Sequence, residues 1–292
     1  MQQLRTGEML RRFRIEKEIS EEKLGFGVCC GTTISNYEVG SRHMDTVLFE
    51  FFLERMGVSP ENFAFMLSEE EYTYYMWKAE VYEAVEKADW EVLEKLLLSE
   101  KALFFVGNKK VQKQFYLYMK AILMAEKFSN YESAANYLLD GIQITIDDIY
   151  HISLENRVLS VRELHMLILY LHYSLCAGTI EDLLANKLFS ELEKYILSSY
   201  LDIKEKSKIY PKLVCVWINL QKEYLSDYEK IRMCKRAIEI LKEGLQFNDI
   251  LEVFRVFIPL LKENSEEYFF FKKQYEVFVE IFNYAEVEEK FR

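Results

Sequence analysis

Only 3 of the 292 residues are proline, so little interrupts long helices. Histidine is scarce as well, and His43, His151, His165 and His172 are scattered along the chain. Cys29, Cys30, Cys176, Cys215 and Cys234 form no CxxC pair and no His-flanked spacing, which argues against a metal site. An odd, dispersed set of this kind suits free thiols in a reducing cytosol. The most apolar stretch, Leu164 to Leu175, is about 12 residues long and too short to span a bilayer. The opening residues, MQQLRTGEMLRRFR, lack the apolar core of a signal peptide. The expectation is a cytoplasmic protein with no membrane partner. No glycine-rich phosphate loop, HExxH or GxSxG is present, so the sequence predicts neither an enzyme nor a cofactor.

Apolar residues make up 50% of the chain, enough to build substantial cores. Tyrosine and phenylalanine are abundant, at 20 and 21 residues. Tyrosine suits half-buried helix faces, because its ring packs while its hydroxyl reaches a polar partner. The formal charge of -11 excludes a protein that coats nucleic acid without discrimination. The charge is unevenly spread: residues 1–43 carry +1, leaving -12 for the remainder. The first 43 residues are thus less acidic than the rest of the chain taken together.

Two regions are expected. In residues 1–66, a helix of about four turns over Leu4–Glu18 precedes a short one capped by Ser20 and opened by Glu21 and Glu22. Gly25 and Gly27 limit that second helix, and Gly25 is expected to loosen it. A turn over Val28–Gly31 leads to a third helix, Thr32–Glu38, closing near Gly40. A fourth follows from Thr46 to Met56. Ser59 with Pro60 at the first helical position signals a fifth.

Residues 69–292 read as longer helices in pairs. The expected pairs are Glu70–Ala88 with Asp89–Ser99, Lys109–Phe128 with Asn130–Ile142, and Ser160–Ala177 with Thr179–Tyr200. Lys204–Leu225 with Asp227–Gly244 follows, and last Asn248–Lys262 with Ser265–Val287. Three second helices open alike, at Asp89-Trp90-Glu91, Asn130-Tyr131-Glu132 and Asp227-Tyr228-Glu229: an Asx cap, an aromatic and an acid. Small residues at Ala134, Ala135 and Ala237 suit close helix approach. The recurrent cap is the repeat signal, and it resembles a tetratricopeptide turn without that repeat's full consensus.

The N-terminal region resembles the Xre/Cro-type (lambda-repressor-like) helix-turn-helix family. The resemblance rests on Leu10-Arg11-Arg12-Phe13-Arg14, Ile19-Ser20-Glu21-Glu22-Lys23-Leu24, Ile34-Ser35-Asn36-Tyr37-Glu38-Val39-Gly40 and Leu53-Glu54-Arg55-Met56-Gly57-Val58-Ser59-Pro60. It covers about 60 residues, with the anchors in the family's order. It implies that Leu24, Val28, Ile34 and Tyr37 hold the second and third helices at a fixed angle. Thr32, Thr33 and Asn36 would then face base edges in a major groove, while Ser35, Lys23 and Arg42 meet phosphates. Two positions depart from the family pattern. Glu21 stands where glutamine is frequent, and a carboxylate there repels phosphate; Gly25 stands where alanine is usual.

A helix-turn-helix followed by a tetratricopeptide-like array resembles the Rgg-like (RRNPP) peptide-responsive regulators. This second resemblance lies in architecture and length, and it implies an all-α fold, quorum sensing, a homodimer on double-stranded DNA and a short signalling peptide as ligand. Within predicted helices, Asn136, Asn186 and Asn219 are candidates to pair with a peptide backbone, with Tyr116, Tyr170 and Tyr173 as companions. The competing expectation is a helical-repeat adaptor or antirepressor whose helix-turn-helix no longer binds DNA.

Overall fold

A computed structural model describes residues 2–106, 109–146, 149, 153–155, 157–198, 201–220, 225–247 and 249–289. Every regular element among them is helical. The chain forms two compact units, Met1–Leu201 and Asp202–Arg292.

The first unit opens with α1 (Gln2–Glu16), α2 (Glu21–Gly25), α3 (Gly31–Glu38) and α4 (Thr46–Arg55). Ser20 caps α2 by accepting from the Lys23 amide, and Asp45 caps α4 by accepting from Leu48. Only a single 3-10 turn, Pro60–Asn62, forms at the expected fifth helix. Ser59 makes no side-chain cap there, and the chain is extended again at Phe63. Phe63 and Phe65 instead dock as aromatic side chains, edge-on against Phe13 and Phe49 respectively.

Next come α5 (Glu69–Glu86), α6 (Trp90–Leu97), α7 (Glu100–Val106), α8 (Lys110–Phe128), α9 (Tyr131–Gln143), α10 (Val161–Ala177) and α11 (Asp182–Leu197). α7 lies between two expected helices, where none was expected. It begins with Ser99 Oγ accepting from the Ala102 amide and places Phe105 against Tyr74 and Trp77. α9 packs against both α8 and α10, and α10 packs against α11. Ala134 and Ala135, two of the expected small residues, are buried on α9, and a Cβ on Gly141 of the same helix would press into Met166. One buried cluster runs from Leu10 and Ile34 through Phe51 and Phe52 to Trp77 and Phe115. The N-terminal helices and the first repeat helices therefore share a core.

Short connectors join α5 to α6 (Lys87, Ala88, Asp89) and α8 to α9 (Ser129, Asn130). Ala88 and Ser129 adopt left-handed backbones, with φ of 52° and 51°, and the next residue caps the following helix. Asp89 accepts from the Val92 amide and Asn130 from Ser133.

The second unit contains α12 (Ile203–Leu220), α13 (Asp227–Gly244), α14 (Ile250–Phe257), a 3-10 turn (Ile258–Leu260) and α15 (Glu266–Glu289). Here the expected Asx cap shifts by one residue. Ser226 caps α13 in a reciprocal box with Glu229, which leaves Asp227 inside the first turn. Ser207 approaches α13 so closely that a Cβ on Gly244 would meet its Oγ. Trp217, Tyr210, Phe254 and Phe257 fill the core. The expected helix end at Tyr200, residues 221–224, the expected start at Asn248, and His151 lie outside the described residues.

Candidate nucleic-acid interface

The geometry of α3 is set by what lies beneath it. Leu24 and Ile34 are fully buried, Tyr37 nearly so, and Val28 packs against the same cluster. Gly7 lets α1 cross the end of α3, because a Cβ there would fall 2.1 Å from the Tyr37 carbonyl oxygen. Arg14 then ties α1 to α3. Its guanidinium grips both carboxylate oxygens of buried Glu38 and donates to the Ile19 carbonyl at 3.0 Å. A further contact at 3.4 Å reaches Glu21. The carboxylate expected to repel phosphate therefore has a cation beside it.

Gly25 does not loosen α2 in the way its propensity suggests. It is buried against Ile34, and a Cβ there would lie 3.1 Å from Ile34 Cγ1. Close approach of α2 to α3 accounts for the glycine.

On the opposite face of α3, Thr32 and Asn36 are exposed and one helical turn apart. Ser41 Oγ donates to both the Asn36 carbonyl and its side-chain oxygen at 3.2 Å, and the Arg42 amide donates to the same carbonyl. Thr33 and Ser35 are half-buried. The Thr33 hydroxyl lies 3.2 Å from the Cys30 sulfur at the helix start, so it is engaged locally. Arg42 is exposed, with its guanidinium 5.6 Å from the centre of the Tyr37 ring. Lys23 is half-buried in the last turn of α2, lining a cleft of about 630 Å³ with Ser20, Phe26 and Arg157. Thr32, Asn36 and Arg42 thus form one accessible surface, with Lys23 on the neighbouring helix.

The six residues proposed for peptide binding are dispersed over five helices. Asn136 on α9, Asn186 on α11 and Asn219 on α12 are exposed, and Asn186 donates to the Asp182 carbonyl one turn back. Tyr116 on α8 is half-buried beneath Lys120. Tyr170 and Tyr173 on α10 are buried, and Tyr173 packs with Tyr131.

Sequence reasoning missed a polar cluster shared by α4, α5, α8 and α10. Lys78 lies 3.9 Å from Glu50 and over the rings of Tyr75 and Tyr82. Arg162 stacks 5.3 Å from Phe115, which also packs edge-on with Tyr82. Burial pushes the Lys78 ammonium down and the Tyr82 and Tyr118 hydroxyls up, while Tyr82 itself stays 38% exposed, so the cluster reaches the surface there. The available signal was the four-residue spacing of Tyr74, Lys78 and Tyr82, a stripe of polar-tipped side chains along one helix.

All five cysteines are free, and no group of three metal-binding side chains occurs among the described residues. No helix among them is long and apolar enough to cross a membrane.

No protein-family model matches the sequence, and no curated protein matches it. The fold is similar to that in the crystal structure of Bacillus thuringiensis PlcR in complex with the peptide PapR7 and DNA. The TM-score is 0.57 over 98% of each chain, at 14% sequence identity. The all-helical architecture is therefore one that a solved structure also adopts.

Proposed function

We propose that this chain is a sequence-specific, DNA-binding transcriptional regulator of the Xre/Cro type, controlled by a short peptide held by its repeat helices. The observation that carries the proposal is the exposed pair Thr32 and Asn36, on a helix whose other face is locked into a core. In a helix-turn-helix, residues near the start of the second helix of the motif contact base edges. Asparagine can pair bidentately with adenine, and threonine offers a hydroxyl and a methyl group. Arg42, Lys23 and Ser35 supply phosphate contacts. Few cations serve this surface, so a homodimer reading two half-sites is the natural arrangement.

The peptide reading is supported by the similar fold of PlcR, whose structure holds a peptide and DNA. Within the first unit, the cluster around Lys78, Tyr82 and Arg162 offers a cationic, aromatic surface to a peptide backbone or carboxylate. Tyr116 and Asn136, on α8 and α9, are further candidates. Asn186, Asn219, Tyr170 and Tyr173 belong to the same proposal but are either exposed singly or packed in a core.

The test is a pull-down of genomic fragments at graded salt, with the native chain beside Asn36→Ala. The native chain is expected to enrich a small set of fragments, and Asn36→Ala is expected to lose that selectivity. Failure of the native chain to enrich any fragment at low salt would sink the proposal in favour of the adaptor.

A further inference from the structure

Arg55 is the last residue of α4, and its side chain is about 1% exposed. Its guanidinium forms a two-point pair with Glu163 of α10, Nη2 to Oε1 at 2.7 Å and Nε to Oε2 at 3.2 Å. The remaining nitrogen, Nη1, donates to the carbonyls of Leu24 at 2.9 Å and Phe26 at 2.7 Å. Those carbonyls close α2, whose five residues cannot satisfy their own C-terminus. A cation at that end also complements the helix dipole. Glu163 has a second duty, accepting from the Ser160 amide to start α10. One carboxylate therefore begins a repeat helix and orients the arginine that ends α2.

The turn between α2 and α3 is gripped from other directions as well. Gly27 has φ of +74°, and a Cβ on it would lie 2.2 Å from the Thr145 carbonyl oxygen. Its own carbonyl accepts from Lys110 Nζ at 2.6 Å, at the start of α8. Arg157 stacks 4.6 Å from the Phe26 ring. The turn that aims α3 is thus held by α8, the α9–α10 connection and α10. Glu163 follows Arg162, so adjacent residues of α10 meet the turn on one side and the Lys78–Tyr82 cluster on the other.

We propose that Arg55 is a positioning residue: with Glu163 it couples the repeat helices to the α2–α3 turn, so that displacement at the start of α10 re-aims α3. This rests on the reading of α3 as the DNA-contacting helix. A buried pair is a poor source of net stability, but its two-point contact fixes the orientation of both side chains.

The experiment uses the full chain without DNA and reads hydrogen–deuterium exchange over residues 21–38 and 161–177. The double variant Arg55→Met/Glu163→Leu removes both charges together, and Gly27→Ala pushes the turn away from Thr145. Each is expected to speed exchange in 21–38 by about tenfold or more while 161–177 stays protected. Unchanged exchange in 21–38 overturns the proposal. Should the double variant lose protection in both segments, Lys110→Met decides, since it removes only a surface hydrogen bond to Gly27. Faster exchange around residues 26–30 then supports the coupling, and no change overturns it. In parallel, the variants are assayed on a DNA fragment that the native chain selects from a random-sequence pool. Their affinity is expected to fall about tenfold, whereas Asn36→Ala loses affinity with native exchange rates. If the native chain selects no DNA, the DNA-binding reading fails while the exchange result still judges the coupling.

Discussion

Arg14 and Glu38 show how much of the α3 geometry rests on single side chains. Glu38 is buried, and its carboxylate is satisfied by one guanidinium. Arg14→Met strands that charge, and it should cost about 3 kcal/mol or more in urea unfolding. A loss of under about 0.5 kcal/mol would mean that Glu38 finds another partner. Glu71 makes a comparable link between α4 and α5, accepting from the Thr46 amide at 2.6 Å and the Ser68 amide at 2.8 Å. Partial burial pushes its carboxyl up, but those hydrogen bonds outweigh burial and hold it at about 2. A pKa depressed in the folded state contributes stability above the ordinary carboxylate value of about 4.3. That contribution is lost as pH falls toward about 2. Glu71→Gln should therefore flatten the stability curve between those two values, with the native and variant curves converging at the acid end.

At the scale of elements, the connectors Ala88-Asp89 and Ser129-Asn130 set where the paired helices turn. Asp89→Ala and Asn130→Ala should each cost about 1 kcal/mol in thermal or urea unfolding, the usual price of a lost N-cap. The same substitution at Asp227 should cost less, because Ser226 holds the cap. These starts are legible in the sequence because a cap is a local interaction, decided within four residues. The ends and α7 are less so. A run such as Ala102 to Val106 has no periodicity that separates helix from buried loop. The fifth helix failed to form for a related reason. Pro60 allows a first turn, but Phe63 and Phe65 gain more by docking on Phe13 and Phe49 than by continuing it. Of the polar cluster around Arg162, only the α5 stripe Tyr74, Lys78 and Tyr82 left a trace in the sequence, and the Arg55–Glu163 pair left none, because their partners lie far apart along the chain. Arg55 and Glu163 are separated by 108 residues, and no pattern along the chain links them. On α3, Thr32 and Asn36 are exposed as the family-like spacing implies, whereas Thr33, expected beside them, is half-buried with its hydroxyl at the Cys30 sulfur.

For the whole molecule, the charge distribution constrains the DNA binding proposed above. A chain of net charge -11 with a near-neutral first 43 residues cannot rely on bulk electrostatics to hold DNA. On the proposed reading, binding should depend on a few phosphate contacts doubled by a second copy, and on base contacts from Thr32 and Asn36. Each good base contact contributes about 1–3 kcal/mol of discrimination. The most direct measurement is selection from a random-sequence DNA pool, repeated with Asn36→Ala. The native chain should recover a two-fold symmetric site, with half-sites about one helical turn apart. Asn36→Ala should relax the preference at one symmetric pair of positions and leave the others intact. Recovery of the same site, equally sharp at every position, by both proteins would contradict the assignment of α3 as the helix that reads DNA.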